Sequence, residues 1–247
     1  MTAMHDFSGR TALITGANGE IPRAVAALFA AAGARLVLTD IAVEELAGFA
    51  AGLGGAQTLL CRQDVADPAD AERVAAAAAD RFGTVDMVVT GAGLYQHLDL
   101  RALTPEQWRR ALAVNLDGVF LTVRALLPHL SDGSSVVNIA SVAGHRGSPD
   151  HTPYAAAKGG VLTLTRSLAQ ELAPRTRVNA VSPGLIDTRM MQALDEERKA
   201  RMIGTTPLRR LGTAREVAEV VAFLCGSGAG YITGETIHVN GGLYIAG

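Results

Sequence analysis

The sequence lacks the features that would mark a disulfide scaffold, a metal-folded domain, a nucleic-acid binder or a membrane span. Its 247 residues include only two cysteines. Cys61 and Cys225 lie far apart, in no CxxC pair and beside no histidine cluster, so neither a disulfide framework nor a zinc site is supported. A chain of this length buries roughly three-quarters of the surface its unfolded form exposes and needs no such staple. There is no basic excess either. The 22 Lys and Arg against 24 Asp and Glu leave a net charge of −2, which creates no overall field to gather nucleic acid. The first ten residues hold His5, Asp6 and Arg10 in place of an apolar core and do not read as a signal peptide. Apolar runs elsewhere are broken by charge or glycine short of the ~20 residues a membrane span needs. These absences predict a cytoplasmic protein with no metal, no membrane and no nucleic-acid partner.

What is present is alternation. Short β-branched runs at 11–15, 35–39, 58–61, 87–90, 135–140, 177–181 and 236–239 are separated by Ala- and Leu-rich segments at 23–32, 43–51, 69–82, 106–130, 154–173 and 216–225. That pattern predicts βαβ units of the α/β class. The expected architecture is a doubly wound Rossmann fold, with a seven-stranded, mostly parallel sheet and helices on both faces. No Pro-, Gly- or Ser-rich linker and no repeat of 20–50 residues divides the chain, so residues 1–247 read as one domain. Five consecutive alanines, Ala75 to Ala79, read as a helix face small enough to lie close to a sheet. Residues 187–207 combine charge with methionine after a strand, as a substrate lid or an ordinary surface helix pair would.

The first strand runs into Thr15-Gly16-Ala17-Asn18-Gly19-Glu20-Ile21-Pro22 ahead of a helix. Such a turn aims unpaired backbone N–H groups and the helix dipole at a phosphate. Asp40 closes the second strand about 20 residues on, where a carboxylate accepts from both hydroxyls of an adenosine ribose. It would repel a 2′-phosphate, and Gly19 offers no basic side chain in compensation, so NAD is favoured over NADP. An Asp at that place also caps a helix starting near Ala42. Asp64, followed by Val65, either meets an adenine or merely ends the third strand.

Tyr154 and Lys158 stand four apart at the start of a helix and so share one face. A phenol titrates near 10, and acid/base work near neutrality asks for a fall of roughly three, ~4 kcal/mol in favour of phenolate. A nearby ammonium supplies that sign. Ser141 ends a strand at the sheet edge where open α/β sheets bind ligands. Asn115 falls inside a long helix, where asparagine is mildly unfavourable and invites a reason.

Together with Ala92-Gly93, with Ser182-Pro183-Gly184-Leu185-Ile186-Asp187-Thr188 and with Tyr231 to Gly242, these motifs make almost the whole chain resemble the short-chain dehydrogenase/reductase family. The resemblance implies hydride transfer between a nicotinamide and a carbonyl or secondary alcohol. It implies that Tyr154 exchanges the proton, Ser141 orients the substrate oxygen, Lys158 lowers the tyrosine pKa and binds the nicotinamide ribose, and Asn115 holds a relay water. Gly16, Asn18, Gly19, Glu20, Ile21, Asp40, Asp64, Val65, Ala92, Gly93, Pro183, Gly184, Ile186 and Thr188 are the implied cofactor contacts, alongside Tyr154 and Lys158. A homotetramer is implied as well.

Two places depart from the family pattern. Glu20 and Pro22 stand where the TGxxxGxG loop has glycine, and Thr90-Gly91 stands where asparagine is usual. If Glu20 needs a positive φ, strain of ~1–2 kcal/mol follows. Gly19 is expected to take over the tight turn, with Glu20 facing solvent or pairing with Arg23. Leu94, Tyr95, His97, Ala143, His145, His151, Leu185, Met190 and Met191 flank the motifs as the expected substrate wall. The leading expectation is an NAD(H)-dependent oxidoreductase of a secondary alcohol or ketone. A 3-oxoacyl-(acyl-carrier-protein) reductase is second, and a non-catalytic nucleotide-binding scaffold or sensor third.

Overall fold

The computed structural model describes residues 5–188 and 196–246. In chain order the elements are β1 (Thr11–Thr15), α1 (Glu20–Ala31), β2 (Arg35–Asp40), α2 (Leu46–Ala51), β3 (Thr58–Arg62), α3 (Pro68–Phe82), β4 (Val85–Thr90), α4 (Pro105–Leu112) and α5 (Gly118–Leu126). They continue as β5 (Leu130–Ile139), α6 (Ala143–Arg146), α7 (Thr152–Leu172), β6 (Thr176–Pro183), α8 (Glu196–Gly204), α9 (Ala214–Cys225) and β7 (Thr236–Val239). The strands form one sheet in the order β3-β2-β1-β4-β5-β6-β7, and every pairing is parallel rather than mostly so.

The central strands are apolar on both sides because helices cover both faces. In β1, Ala12 and Ile14 face the cluster built by Val25 and Phe29 of α1 with Val217 and Val221 of α9. Leu13 points the other way, to Val74 and Ala78 of α3 and Val123 of α5. Ala75 and Ala78, from the alanine run, are buried on that face. Cys61 and Cys225 are free, buried thiols, and burial pushes Cys225 up to about 11.

Helix starts follow their caps. Thr104 with Gln107 and Thr213 with Glu216 form capping boxes, and Asp67 ahead of Pro68 caps α3. β5 begins at Leu130, five residues before the β-branched run. Its first half is polar and is held by Ser131 donating to Asp86 (2.7 Å) and by a Ser134–Thr176 hydroxyl bond (2.8 Å). The helix expected over 106–130 is broken by a π turn at Ala113–Asp117. Residues Pro105–His129 form a helical run that is, by length and mean hydropathy, apolar enough to cross a membrane, although Asp117 and Gly118 interrupt its apolar stretch as the sequence indicates. They carry Asp117 and Arg124, and they pack on α3 and α7. α6 is a short element that composition did not mark, and α8 is a helix within the segment 187–207 read as a lid or a surface helix pair.

Candidate active site

β1 and β4 are neighbours in the sheet although their following segments leave to opposite faces, so a crevice opens at their C-terminal ends. Two cavities lie along this edge, of about 290 Å³ and about 390 Å³. The smaller is lined by Gly16, Gly19, Asp40, Gln63, Asp64, Val65, Gly91, Ala92, Gly93, Leu94 and Arg110, among others.

Gly16 makes the tight turn, with φ of 66°. A Cβ there would stand 2.5 Å from the Ala92 Cα, so only glycine lets the β1 and β4 loops touch. Gly19 does not take over that turn. It is extended (φ −67°, ψ 151°) and serves as the N-cap, its N–H donating to Gly16 O at 2.9 Å. Glu20 is the first residue of α1 and has no positive φ, so the anticipated strain does not arise. Its charge sits in the first turn, where the helix dipole favours it. Arg23 donates to Asn18 Oδ1 at 2.8 Å, its guanidinium lying over the Phe49 ring.

The two departures from the family pattern have one steric cause. Pro22 is buried, and a Cβ on Gly91 would stand 2.6 Å from the Pro22 Cγ. The proline ring occupies the space that a side chain at position 91 would need. Thr90 keeps a cross-strand bond, its hydroxyl donating to Asn138 Oδ1 at 2.8 Å.

Asp40 does not cap the following helix, whose first turn at Val43–Glu45 has no side-chain cap. Its carboxylate accepts from Asn18 N (3.0 Å) and Ala42 N (3.1 Å) and also faces the smaller cavity. Two of a carboxylate's roughly four acceptor sites are thereby used, and the others remain for ribose hydroxyls. This oriented acceptor, on the same cavity wall as Gly16 and Gly19 ahead of the α1 N-terminus, suits an adenosine ribose and a pyrophosphate. Asn18 is spent on the turn, its Nδ2 donating to Ala42 O at 2.7 Å, and neither it nor Glu20 lines a cavity. Asp64 faces the cavity while accepting from Arg110 (3.3 Å) and Ala66 N (3.0 Å). Arg110 and Gln63 are wall residues that the motifs did not reveal.

The larger cavity is lined by Ser141 and Tyr154 together with Ile21, Pro183, Gly184, Ile186 and Thr188 of the expected cofactor set. α6 lies directly on α7: a Cβ on Gly144 would stand 2.6 Å from the Lys158 carbonyl carbon. Ser141 and Tyr154 stand on the same cavity wall, and Ser141 opposes the rise of the phenol's pKa. Lys158 Nζ donates to Ile139 O at 2.7 Å and stands 5.7 Å from the Tyr154 ring centroid. Asn115 lies in the π turn, fully buried. Its Oδ1 accepts from Leu94 N (3.0 Å), and its Nδ2 donates to Leu94 O and Ala111 O (2.9 Å each). Both amide hydrogens are used, so the side chain clamps the loop after β4.

The titration differs from the expectation. Burial pushes Tyr154 up to about 12, opposed by Ser141, so the phenol is held protonated rather than poised near neutrality. Burial alone pushes Lys158 down to about 8. The lysine is charged below that pH at a desolvation cost of about 3 kcal/mol. Between about 8 and its unfolded value the folded lysine has lost a proton that the unfolded one keeps, so stability rises with pH there. Lys158→Met is therefore expected to gain about 2 kcal/mol of unfolding free energy at pH 7, after loss of the Ile139 bond. The gain should shrink toward pH 10, and urea titrations at the two pH values measure it.

Of the expected substrate wall, Tyr95, Ala143 and Leu185 line the larger cavity, and Leu94 lines the smaller one instead. His145 turns away. Its ring packs at 4.7 Å from both His238 and Tyr244, and burial, His238 and Arg166 lower its pKa. His151 stands behind Tyr95, stacked at 4.1 Å, with Nδ1 2.7 Å from Pro149 O, and His97 meets its edge at 5.4 Å. Tyr95 in turn meets Tyr154 edge-on at 4.8 Å. The histidines thus support the wall without forming it. Met190 and Met191 lie outside the described residues. Arg146, Met202 and Leu243 do line the cavity and belong to no motif.

A sequence profile of the family described as Enoyl-(Acyl carrier protein) reductase matches residues 16–244. The 3-oxoacyl-(acyl-carrier-protein) reductase FabG of Escherichia coli (strain K12) is 38% identical over 245 residues, covering 97% of this chain and 99% of that protein. A crystal structure from Brucella melitensis, of Short-chain dehydrogenase/reductase SDR:Glucose/ribitol dehydrogenase, is 46% identical with a TM-score of 0.94, over 98% of this chain and 99% of that one. The short-chain dehydrogenase/reductase from Serratia marcescens BCRC 10948 is 30% identical with a TM-score of 0.92, over 97% and 99%.

Proposed function

As this chain belongs to the short-chain dehydrogenase/reductase family and is an oxidoreductase of the CH–OH group, we propose that it reduces the ketone of a 3-oxoacyl-type substrate to a secondary alcohol with NADH. The observation that carries this reading is the placement of Ser141 and Tyr154 together on the wall of the larger cavity, with burial holding the phenol protonated and ready to give its proton to a substrate oxygen. The FabG relatives favour the 3-oxoacyl substrate over the broader secondary-alcohol reading. The Brucella protein supports a polyol or other secondary alcohol as the second reading.

Asp40 would hold the adenosine ribose, Asp64 and Val65 would flank the adenine, and the turn from Gly16 into α1 would receive the pyrophosphate. Pro183, Gly184, Ile186 and Thr188 would border the nicotinamide end, and Lys158 would meet its ribose. When bound, the nicotinamide supplies the hydride. Ser141 orients the carbonyl oxygen, Tyr154 protonates it as negative charge develops, and charged Lys158 favours the phenolate left behind. Asn115 keeps Leu94 and its loop in place beneath the site. α8 contributes Met202 to the wall of the larger cavity, and residues 189–195 of the expected lid lie outside the described residues. Exposed Phe120 on α5 and Ile245 near the C-terminus support a homotetramer. The two free, buried thiols suit a reducing cytoplasm.

Calorimetric titration is expected to give NADH at least tenfold tighter binding than NADPH, a difference of about 1.4 kcal/mol. Asp40→Ser should narrow that preference by weakening NADH and relieving repulsion of the 2′-phosphate. Tighter NADPH binding by the native chain overturns the NAD assignment. Binding of neither at millimolar concentration moves the scaffold reading to first place.

A further inference from the structure

The wall of the larger cavity holds one charge among the described residues. Ile21, Val142, Leu185, Met202 and Leu243 give it an apolar lining, and no Asp, Glu or Lys joins them. The exception is Arg146, at the end of α6, five residues after Ser141. Its one hydrogen bond among the described residues is a donation to Leu243 O at 3.5 Å, at the limit of such a contact, and no carboxylate pairs with it there. Other arginines at binding edges are neutralised: Arg110 meets Asp64 and Arg210 meets Glu216.

The backbone of Arg146 is fixed relative to the reacting groups, while its side chain is exposed at the cavity rim. Its four-residue helix is pinned at Gly144 on the backbone of Lys158 and through Ala143 N, which donates to Ser141 Oγ at 3.2 Å. The Leu243 carbonyl it touches belongs to a segment organised by Asn240, which donates to Tyr244 O (2.9 Å) and accepts from Gly242 N (2.9 Å). A guanidinium without a counter-charge, at the rim of an apolar cavity and on the same rigid element as the oxygen-orienting serine, suits a bidentate anion.

We propose that Arg146 determines substrate specificity by anchoring an anionic group, a carboxylate or a phosphate, carried on the C1 side of the ketone. This rests on the reductase reading above and narrows its substrate class to anionic 3-oxoacyl compounds. The carboxylate of a free 3-oxo acid and the phosphates of a thioester carrier arm present the same chemistry to it.

The test compares Arg146→Ala with the native enzyme on four probes with NADH: 3-oxohexanoate, its ethyl ester, the neutral N-acetylcysteamine thioester and the coenzyme A thioester. The expected result is a fall of at least 30-fold in kcat/KM, carried by KM, for 3-oxohexanoate or the coenzyme A thioester, with the neutral probes changed less than threefold. Whichever charged probe falls identifies the source of the anion. Arg146→Lys should recover part of the loss. Calorimetry of hexanoate against hexanamide, on the NADH complex, reads the anchor without turnover. Hexanoate is expected to bind the native enzyme and not Arg146→Ala, and hexanamide neither. A uniform fall across the four probes, no fall in any, or equal binding of acid and amide overturns the anchor. Native enzyme that binds hexanoate through Arg146 and reduces none of the four overturns the 3-oxoacyl reading and leaves the anchor standing.

Discussion

Tyr154→Phe is expected to lower kcat for ketone reduction about 10³-fold, within the usual range for loss of a general acid. NADH affinity, measured by calorimetry, should stay within about twofold, because Asp40 and the Gly16 turn lie in the other cavity. The phenol is buried, so Phe removes the proton while keeping the ring that Tyr95 packs against. The pH profile separates the two ionising groups. A tyrosine held near 12 stays protonated through pH 6–9 and cannot cause loss of reduction there. Lys158, pushed down to about 8, loses its charge in that window, and with it the stabilisation of the phenolate left after proton transfer. Native reduction should therefore decline as pH rises through about 8, and the decline should disappear from the residual rate of Tyr154→Phe. A variant keeping a tenth of native kcat would remove Tyr154 from the role of proton donor. A nucleotide sensor would give the same NADH affinity in both proteins and no ketone turnover in either.

The sequence carried the residues whose identity is itself chemical. Tyr154 and Lys158 declare themselves by four-residue spacing, Ser141 by ending a β-branched run, and Asp40 by closing the second strand; Tyr154, Ser141 and Asp40 line the two cavities, and Lys158 is buried behind them. Periodicity found every strand because the sheet is buried on both faces and its strands are continuously apolar. It missed the first half of β5, where Ser131 and Ser134 satisfy one another's neighbours through side chains. Histidines were overvalued for a related reason. Chain proximity to a motif does not tell which way a loop side chain turns, and His145 turns to His238 while Arg146 beside it faces the cavity. Met202 and Leu243 come from segments that only the fold brings together. The Tyr154 pKa was misread because a neighbouring ammonium is visible in spacing, whereas desolvation depends on what the rest of the chain stacks around the phenol.

The altered phosphate loop makes the sharpest energetic claim, because two unusual residues occupy one volume. Gly91→Ala alone is expected to cost about 2 kcal/mol, as overpacking of a tight site does. Its new Cβ would meet the Pro22 Cγ at 2.6 Å and the Thr15 carbonyl oxygen at 2.9 Å. The same change should weaken NADH binding, since Thr15 Oγ1 accepts from Gly91 N and Ala92 N and any shift of this strand end moves the Gly16–Ala92 contact. Pro22→Ala removes the ring carbons but keeps the Cβ, whose 3.4 Å approach to position 91 is ordinary contact. In that background Gly91→Ala should cost at least about 1 kcal/mol less, a coupling typical of side chains in direct contact. Pro22→Ala also returns a backbone N–H to the first turn of α1, a donor that proline withholds from an anion. It should leave NADH affinity equal or improved. Urea unfolding of the four proteins in the cycle, with calorimetry on each, measures both effects. An unchanged cost of Gly91→Ala in the two backgrounds would assign the glycine to its contact with the Thr15 carbonyl alone. Strong coupling makes Pro22 and Gly91 a compensated pair, in which a lost glycine at the helix start is offset by a gained one at the end of β4.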